Sequence, residues 1–372
     1  MTSIIYVGMD VHKDTYSICC YDSRTDRNLY EKTMKATTQN VLRYLENVKK
    51  QLGEETMFVC GYEAGPTGFG LCRDLLKANY SCVVMAPTSL KHTADYRIKN
   101  DRIDARNLAK TLFTKDYSSV NIASPKEEAI KEYCRMRINI KKELKNSKQV
   151  IMAFLLRQGK KYTDGSSYWT IKHRTWLKNL KFDDAYLQEA FNEYMISINT
   201  LEARLKNIEA RLEEIAQDKE IKAKVDRLVC FSGIEVVTAV SIASEVGDFN
   251  RFASAFDFSK YLGLIPAEWS SGKSVTKLGI TKAGNCYLRR LLTESAKSIK
   301  KSCPQAKKSK RLEDRQKGKD PLVIAYADKC RIRIKNKIKH LEDRGKNANV
   351  ATTAAARELA CFIWGMMTDN IA

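Results

Sequence analysis

Lys99-Asn-Asp-Arg-Ile-Asp-Ala105 is the stretch that decides how the rest of the chain is read. It sets Asp101 and Asp104 three residues apart at the start of an expected helix, which continues through Ala105, Leu108, Ala109 and Leu112. At that spacing both carboxylates lie on one helix face, one above the other. Like charges held that close repel, and one use of such a pair is to hold a divalent cation. The other reading is a solvated first turn, where acidic side chains suit the positive end of the helix dipole. What lies upstream bears on the choice.

Residues 4–9 read as a buried strand that ends at Asp10. Residues 15–21 and 28–34 read as the next two strands, with a turn around Asp22-Ser-Arg-Thr25. Residues 38–52 have helical spacing at Val41, Leu45, Val48 and Leu52. A fourth strand over 57–62 ends at Glu63 and is followed by the turn Ala64-Gly-Pro-Thr-Gly68, a helix to about residue 78, and a strand over 81–85 stopped by Pro87. The order is three strands, helix, strand, helix, strand, and then the helix that begins with Asp101. In open α/β sheets, sites gather at strand ends. Asp10 follows the first strand and Glu63 the fourth, so with Asp101 and Asp104 four carboxylates fall in an order that favours a metal site over isolated turn residues.

The charge balance points to the partner. The 372 residues carry 65 Lys and Arg against 44 Asp and Glu, a formal net charge of +21. A chain that basic favours a polyanion, and nucleic acid is the usual one. The bases are not gathered on one amphipathic helix, so an anionic membrane is the weaker fit. Eleven cysteines with no C-x-x-C pair suit free thiols in a reducing cytoplasm better than a disulfide framework or a zinc site. No charged leader and no bilayer-long apolar run are evident, so a cytoplasmic protein is expected.

Downstream, residues 125–158 are strongly basic and helix-forming, with Lys131, Arg135, Arg137, Lys141, Lys142, Lys145 and Lys148. They read as a face that tracks phosphates, or as a solvated helix face. Tyr162, Tyr168, Trp169, His173 and Trp176 suit either stacking on unpaired nucleotides or core packing. Leu187, Phe191, Tyr194, Ile198, Leu201, Leu205, Ile208, Leu212 and Ile215 alternate steps of four and three, a heptad seam that predicts a coiled coil. Self-association or an intramolecular helical hairpin would satisfy it. Residues 228–239 resemble a helix-hairpin-helix, with Ser232 and Glu235 where the usual pattern has Pro and Gly. The stretch Ala267-Glu-Trp-Ser-Ser-Gly-Lys-Ser-Val275 reads as a polar loop whose hydroxyls serve as turn formers or as a nucleophile. From 289 to 346 there are 20 Lys and Arg against 7 Asp and Glu, the densest basic region.

With these motifs in hand, the chain resembles the insertion-sequence "one-ten" family of transposases, nearer its "eleven-eleven" branch. The resemblance rests on Gly8-Met-Asp-Val-His-Lys13, Tyr62-Glu-Ala-Gly-Pro-Thr-Gly68 and Lys99-Asn-Asp-Arg-Ile-Asp-Ala105. In the C-terminal half it adds Gly263-Leu-Ile-Pro266, Ser271-Gly272, and Lys282-Ala-Gly284 with Leu288-Arg-Arg290. It implies a RuvC-like, ribonuclease-H-type α/β domain whose D-E-D-D site maps onto Asp10, Glu63, Asp101 and Asp104, holding Mg²⁺ or Mn²⁺. It also implies a mainly helical transposase domain with a nucleophilic serine, placed at Ser271, with Ser270 and Ser274 as neighbours. Partners implied are donor and target DNA and a bridge RNA that pairs with both. Arg97, Lys99, Arg102, Lys273, Lys282, Arg289 and Arg290 are the bases expected to grip backbones.

The expected organisation is a metal-binding domain over 1–124, a basic helical and coiled-coil connector over 125–224, and the transposase domain over 225–372, assembled as a homodimer or tetramer. The carboxylates and Ser271 would form a composite site. Two other functions remain open: a junction-resolving nuclease that uses the carboxylates to activate water, and a non-catalytic nucleic-acid-binding protein.

Overall fold

The structure, a computed structural model, describes residues 4–90, 100–271, 274–301 and 307–371. The chain divides into two compact units, residues 1–123 and 124–372. The first is mixed α/β and the second is mostly helical.

The first unit contains β1 (Ile4–Val11), β2 (Thr15–Asp22), β3 (Arg27–Lys35), α1 (Thr38–Leu52), β4 (Met57–Glu63), α2 (Gly70–Lys77), β5 (Ser81–Met85) and α3 (Asp101–Thr114). Its five strands lie in the order β3-β2-β1-β4-β5. The β1–β2 and β2–β3 pairs are antiparallel, whereas β1–β4 and β4–β5 are parallel. The short turns after β1 and β2 permit hairpins, and the helices before β4 and β5 supply the crossovers that parallel pairing needs.

The sheet is covered on both faces. Val41, Leu45 and Val48 of α1 and Leu71 and Leu75 of α2 pack on Ile5, Val7, Met9, Phe58 and Cys60. On the other face, Leu108 and Leu112 of α3 pack with Met85, Tyr6 and Val83. Two glycines set how closely α3 approaches. Gly8 of β1 and Gly61 of β4 stand side by side in register. A Cβ on Gly8 would lie 2.9 Å from Ala109 Cα and closer still to Ala105 O and Ala109 N, and one on Gly61 would lie 2.6 Å from Leu112 Cδ2. The glycine pair therefore makes a flat floor, with the helix backbone resting directly on Gly8 and the Leu112 side chain on Gly61.

The second unit opens with two long helices, α4 (Pro125–Arg157) and, after α5 (Ile171–Asn179), α6 (Ala185–Ile215). Ser124 and Glu127 form a reciprocal capping box at the start of α4. Arg137 pairs with Glu209, Lys148 with Glu202, and the Phe154 ring meets Tyr194, so α4 and α6 run antiparallel. The heptad seam is satisfied inside the chain: Phe191, Ile198 and Leu201 share a core with Ile140, Leu144, Ile151, Phe154 and Leu155 of α4. An apolar seam requires only an apolar stripe opposite it, and the basic helix α4 carries one. The hairpin alternative is thus the arrangement seen within the chain.

The remaining helices are α7 (Lys222–Leu228), α8 (Val236–Val246), α9 (Ala255–Tyr261), α10 (Cys286–Lys301), α11 (Lys310–Gln316), α12 (Pro321–Asp343) and α13 (Ala348–Met367). They bury one large core around Phe231, Ile234, Val240, Phe258, Leu292, Ile334 and Leu359. The turn between α7 and α8 has Gly233 at φ +79°, and its Cβ position faces Ser295 O of α10 at 2.6 Å. Arg315 and Gln316 donate to the carbonyls of Val229 and Cys230. This turn is covered by α10 and α11, as a packing unit would be. Between α9 and α10 the expected polar loop is instead an antiparallel hairpin of β6 (Pro266–Ser271) and β7 (Ser274–Ile280). Ser271 pairs with Ser274 at the far end of the hairpin.

Candidate metal centre and serine hairpin

Side chains two residues apart on a strand point to one face. Gly8 and Gly61 face α3, so Asp10 and Glu63, the next positions of the same parity, stand at the same end of the sheet on the α3 side. At the start of α3, Asn100 caps the helix by accepting from Ile103 N at 2.9 Å, which places both Asp101 and Asp104 in the first turn. Because Ala105 and Ala109 sit over Gly8, Asp101 lies one turn away, at the Asp10 end of β1.

Ligand atoms of Asp10, Asp101 and His12 all lie within 4.8 Å of one another. His12 Nε2 is 3.1 Å from Asp10 Oδ2. Burial raises the Asp10 pKa above the ordinary carboxylate value; His12 opposes this, and the charges of Asp101 and Asp104 add to it. Asp104 is therefore near enough to act on Asp10. Glu63 is exposed at the end of β4 and is not in the converging group. The set is a half-buried carboxylate, a second carboxylate on the N-terminal turn of a helix, and an imidazole. Oxygen donors with one nitrogen fit a divalent cation.

Of the bases expected to grip nucleic acid, Arg102 is exposed beside this site, while Arg97 and Lys99 lie outside the described residues. Arg106, one turn further along α3, is held by Glu31 through two hydrogen bonds of 2.5 and 2.7 Å.

In the second unit, Ser271 ends β6; its side chain and those of Ser270 and Ser274 lie outside the described set, as does Lys273 altogether. The base of this hairpin is tightly built. Gly263 has φ +64° and Gly284 φ +97°. A Cβ on Gly263 would collide with Ala283 O, and one on Gly284 with Tyr261 O. Thr281 N donates to Ile265 O at 2.9 Å, and Asn285 N to Tyr261 O at 2.9 Å. Asn285 also caps α10 and donates to Glu245 Oε2 at 3.2 Å, while Arg135 Nε donates to Glu245 Oε1 at 3.1 Å. Glu245 is buried, so these two partners satisfy both of its oxygens.

The bases and aromatics singled out in the sequence have definite surroundings. Arg289 is half-buried and donates to Leu262 O at 2.9 Å, so it braces the hairpin base; Lys282 and Arg290 are exposed. On α4, Arg135, Arg137 and Lys148 pair with acids of their own unit, leaving Lys141, Lys142 and Lys145 exposed. Among the aromatics, Tyr162, Tyr168, Trp169 and Trp176 surround the fully buried His173, which favours the core-packing alternative. Two contributors escaped the sequence reading. His12 was present in the Gly8–Lys13 motif, and its distance of two residues from Asp10 on an extended segment was the available signal. Glu245 had none, because its partners come from residues 110 and 40 positions away.

Comparison with known proteins identifies the family. A DEDD-type transposase domain of the IS110 group matches residues 7–158, and the domain described as "Transposase IS116/IS110/IS902 family" matches residues 226–311. The transposase for insertion sequence element IS1533 of Leptospira borgpetersenii is 31% identical over 92% of this chain and 98% of its own length. The y4qE protein of Sinorhizobium fredii is 32% identical over 98% of this chain and 88% of its own. The transposase for IS1111A of Coxiella burnetii is 23% identical over 99% of the chain and 91% of its own. These matches define a DNA transposase. The chain belongs to the IS110/IS116/IS902 family of insertion-sequence transposases. Among the described residues, no helix is long and apolar enough to cross a membrane.

Proposed function

We propose that this transposase cuts and rejoins donor and target DNA through a phosphoserine link at Ser271, with Mg²⁺ held by the N-terminal carboxylates and sequence choice supplied by a bridge RNA. The observation that carries the metal half is the convergence of Asp10 and Asp101 within 4.8 Å, with Asp104 acting on Asp10 from the same helix turn. Asp10, Asp101 and Asp104 would hold the ion, with Glu63 joining from the neighbouring strand end. When bound, the cation supplies charge neutralisation at the scissile phosphate and polarises its P–O bond.

The serine half is supported by the position of Ser271 at the end of β6, in a hairpin whose base is braced by Arg289 and by the Thr281–Ile265 and Asn285–Tyr261 hydrogen bonds. Its Oγ would bond to phosphorus as the sugar oxygen departs, and that sugar oxygen gains the proton that the hydroxyl gives up. Attack by a hydroxyl of another strand reverses the step, so the phosphodiester is resealed without a nucleotide cofactor. Two duplexes present four strands and one chain carries one Ser271, so the proposal includes a dimer or tetramer. The α6 seam packs on α4 within the chain. The exposed Arg102, Lys141, Lys142, Lys145, Lys282 and Arg290 would hold RNA and DNA backbones.

The test is a search for a covalent adduct. The protein is co-purified with RNA transcribed from the element's flanks and incubated with cognate DNA and Mg²⁺. A nucleotide-modified peptide carrying Ser271, absent from Ser271→Ala, is the expected result. Mg²⁺-dependent nicks without any serine adduct would make the protein a water-activating nuclease instead.

A further inference from the structure

The carboxylates proposed above are four, yet the group whose ligand atoms converge is different: Asp10, Asp101 and His12. The imidazole is brought in by the geometry of the β1–β2 turn. His12 follows β1 directly, two residues beyond Asp10, at the start of the turn. His12 N donates to Thr15 O at 3.1 Å, which closes the turn and fixes where the ring starts. The ring is largely exposed, with 57% of its side chain accessible, so it is not held in place as a core residue. Its Nε2 nevertheless faces the carboxylates, 3.1 Å from Asp10 Oδ2.

We infer that His12 is a direct ligand of the divalent cation, making this a mixed nitrogen–oxygen site with a preference for a first-row transition ion such as Mn²⁺ over Mg²⁺. The inference rests on the proposal that the acidic cluster binds metal. Two donors each about 2.1 Å from one ion are at most about 4.2 Å apart. The observed group, with every pair within 4.8 Å, needs only a small closing movement to reach that span. A carboxylate-only set favours hard ions and leaves Mg²⁺ competitive. An imidazole nitrogen shifts affinity up the series of first-row divalent metals, on which Mg²⁺ gains little from nitrogen. An ordinary ion pair with Asp10 would give His12 the same Nε2–Oδ2 distance, so the decisive question is whether nitrogen is bonded to the ion.

The test uses Mn²⁺ as the probe on the full chain. Free Mn²⁺ is titrated by electron paramagnetic resonance, Mg²⁺ affinity is read by displacement, and pulsed measurements look for ¹⁴N coupling to the bound ion. The expected result is a ¹⁴N modulation that changes to the ¹⁵N pattern when the protein is grown on [¹⁵N]histidine, and that disappears in His12→Asn. His12→Asn should weaken Mn²⁺ by at least about 10-fold and Mg²⁺ much less. Since His12 is exposed, this variant should keep the wild-type melting curve. Mn²⁺ bound with no nitrogen coupling, yet lost in Asp10→Asn, would overturn the His12 inference and leave the acidic metal site standing. Coupling that persists in His12→Asn would also overturn it. Failure of wild type to bind Mn²⁺ at all would remove the metal proposal and this inference with it.

Discussion

Gly8→Ala should damage both the stability of the N-terminal unit and the geometry of its metal centre. The added Cβ would sit 2.9 Å from Ala109 Cα and closer to Ala105 O and Ala109 N, all of them helix backbone. Carbon atoms in contact prefer about 3.5–4.0 Å, so α3 must retreat from β1 by roughly 1 Å. No flexible side chain can absorb the clash. Overpacking of this kind costs about 1–3 kcal/mol, visible as a drop of several degrees in the melting temperature. Because Asp101 and Asp104 ride on the first turn of α3, the retreat also draws them away from Asp10. A displacement near 1 Å can lower a reaction by about 100-fold. The assay is thermal denaturation alongside metal-dependent strand cleavage, with Gly70→Ala as control. A Cβ at Gly70 meets nothing within 4 Å, so that variant should be neutral or slightly stabilising. If Gly8→Ala matched Gly70→Ala in both stability and cleavage, the close approach of α3 to β1 would be wrong.

Further outcomes follow from other parts of the molecule. Asp10 has a raised pKa when folded, so it binds its proton more tightly in the native state than in the unfolded chain; the metal-free protein therefore loses stability from this group as pH rises from the ordinary carboxylate range through the raised value. Asp10→Asn should remove that pH-dependent loss in metal-free melts while abolishing stabilisation by added Mn²⁺, and a variant with the wild-type pH profile would contradict the burial of Asp10. Ile198 is fully buried against α4, so Ile198→Ala should cost about 2–5 kcal/mol in urea denaturation with a midpoint independent of protein concentration. A concentration-dependent midpoint shift would show the seam to be an intermolecular interface. Glu245→Gln exchanges a charge-assisted pairing to Arg135 for a neutral one and should lower stability by about 1–3 kcal/mol; an unchanged melting curve would mean that the brace under the serine hairpin is not formed.

The sequence by itself determined much of the N-terminal unit. Residues 38–52 and 81–85 are the helix and strand their patterns predict, and the other strands differ from expectation only at their ends. Period-two and period-3.6 patterns are local, so they survive without knowledge of what they pack against. Acids near the ends of strands 1 and 4, and a pair three residues apart, were readable for the same reason, although Asp10 and Glu63 lie within the ends of β1 and β4 and not beyond them. Tertiary structure alone decided what each pattern packs against. The α6 seam looks the same whether its partner is a second copy or the apolar stripe of α4, since both bury the same surface. Arg135, Arg137 and Arg289 count as free positive charge in composition, yet fixed acids or a carbonyl on distant elements occupy them. The Gly8–Gly61 floor needs two strands in register before it exists, and it is this floor that brings α3 to Asp10. Local periodicity specifies elements; which long-range partner satisfies each face and charge depends on the three-dimensional packing of the whole unit.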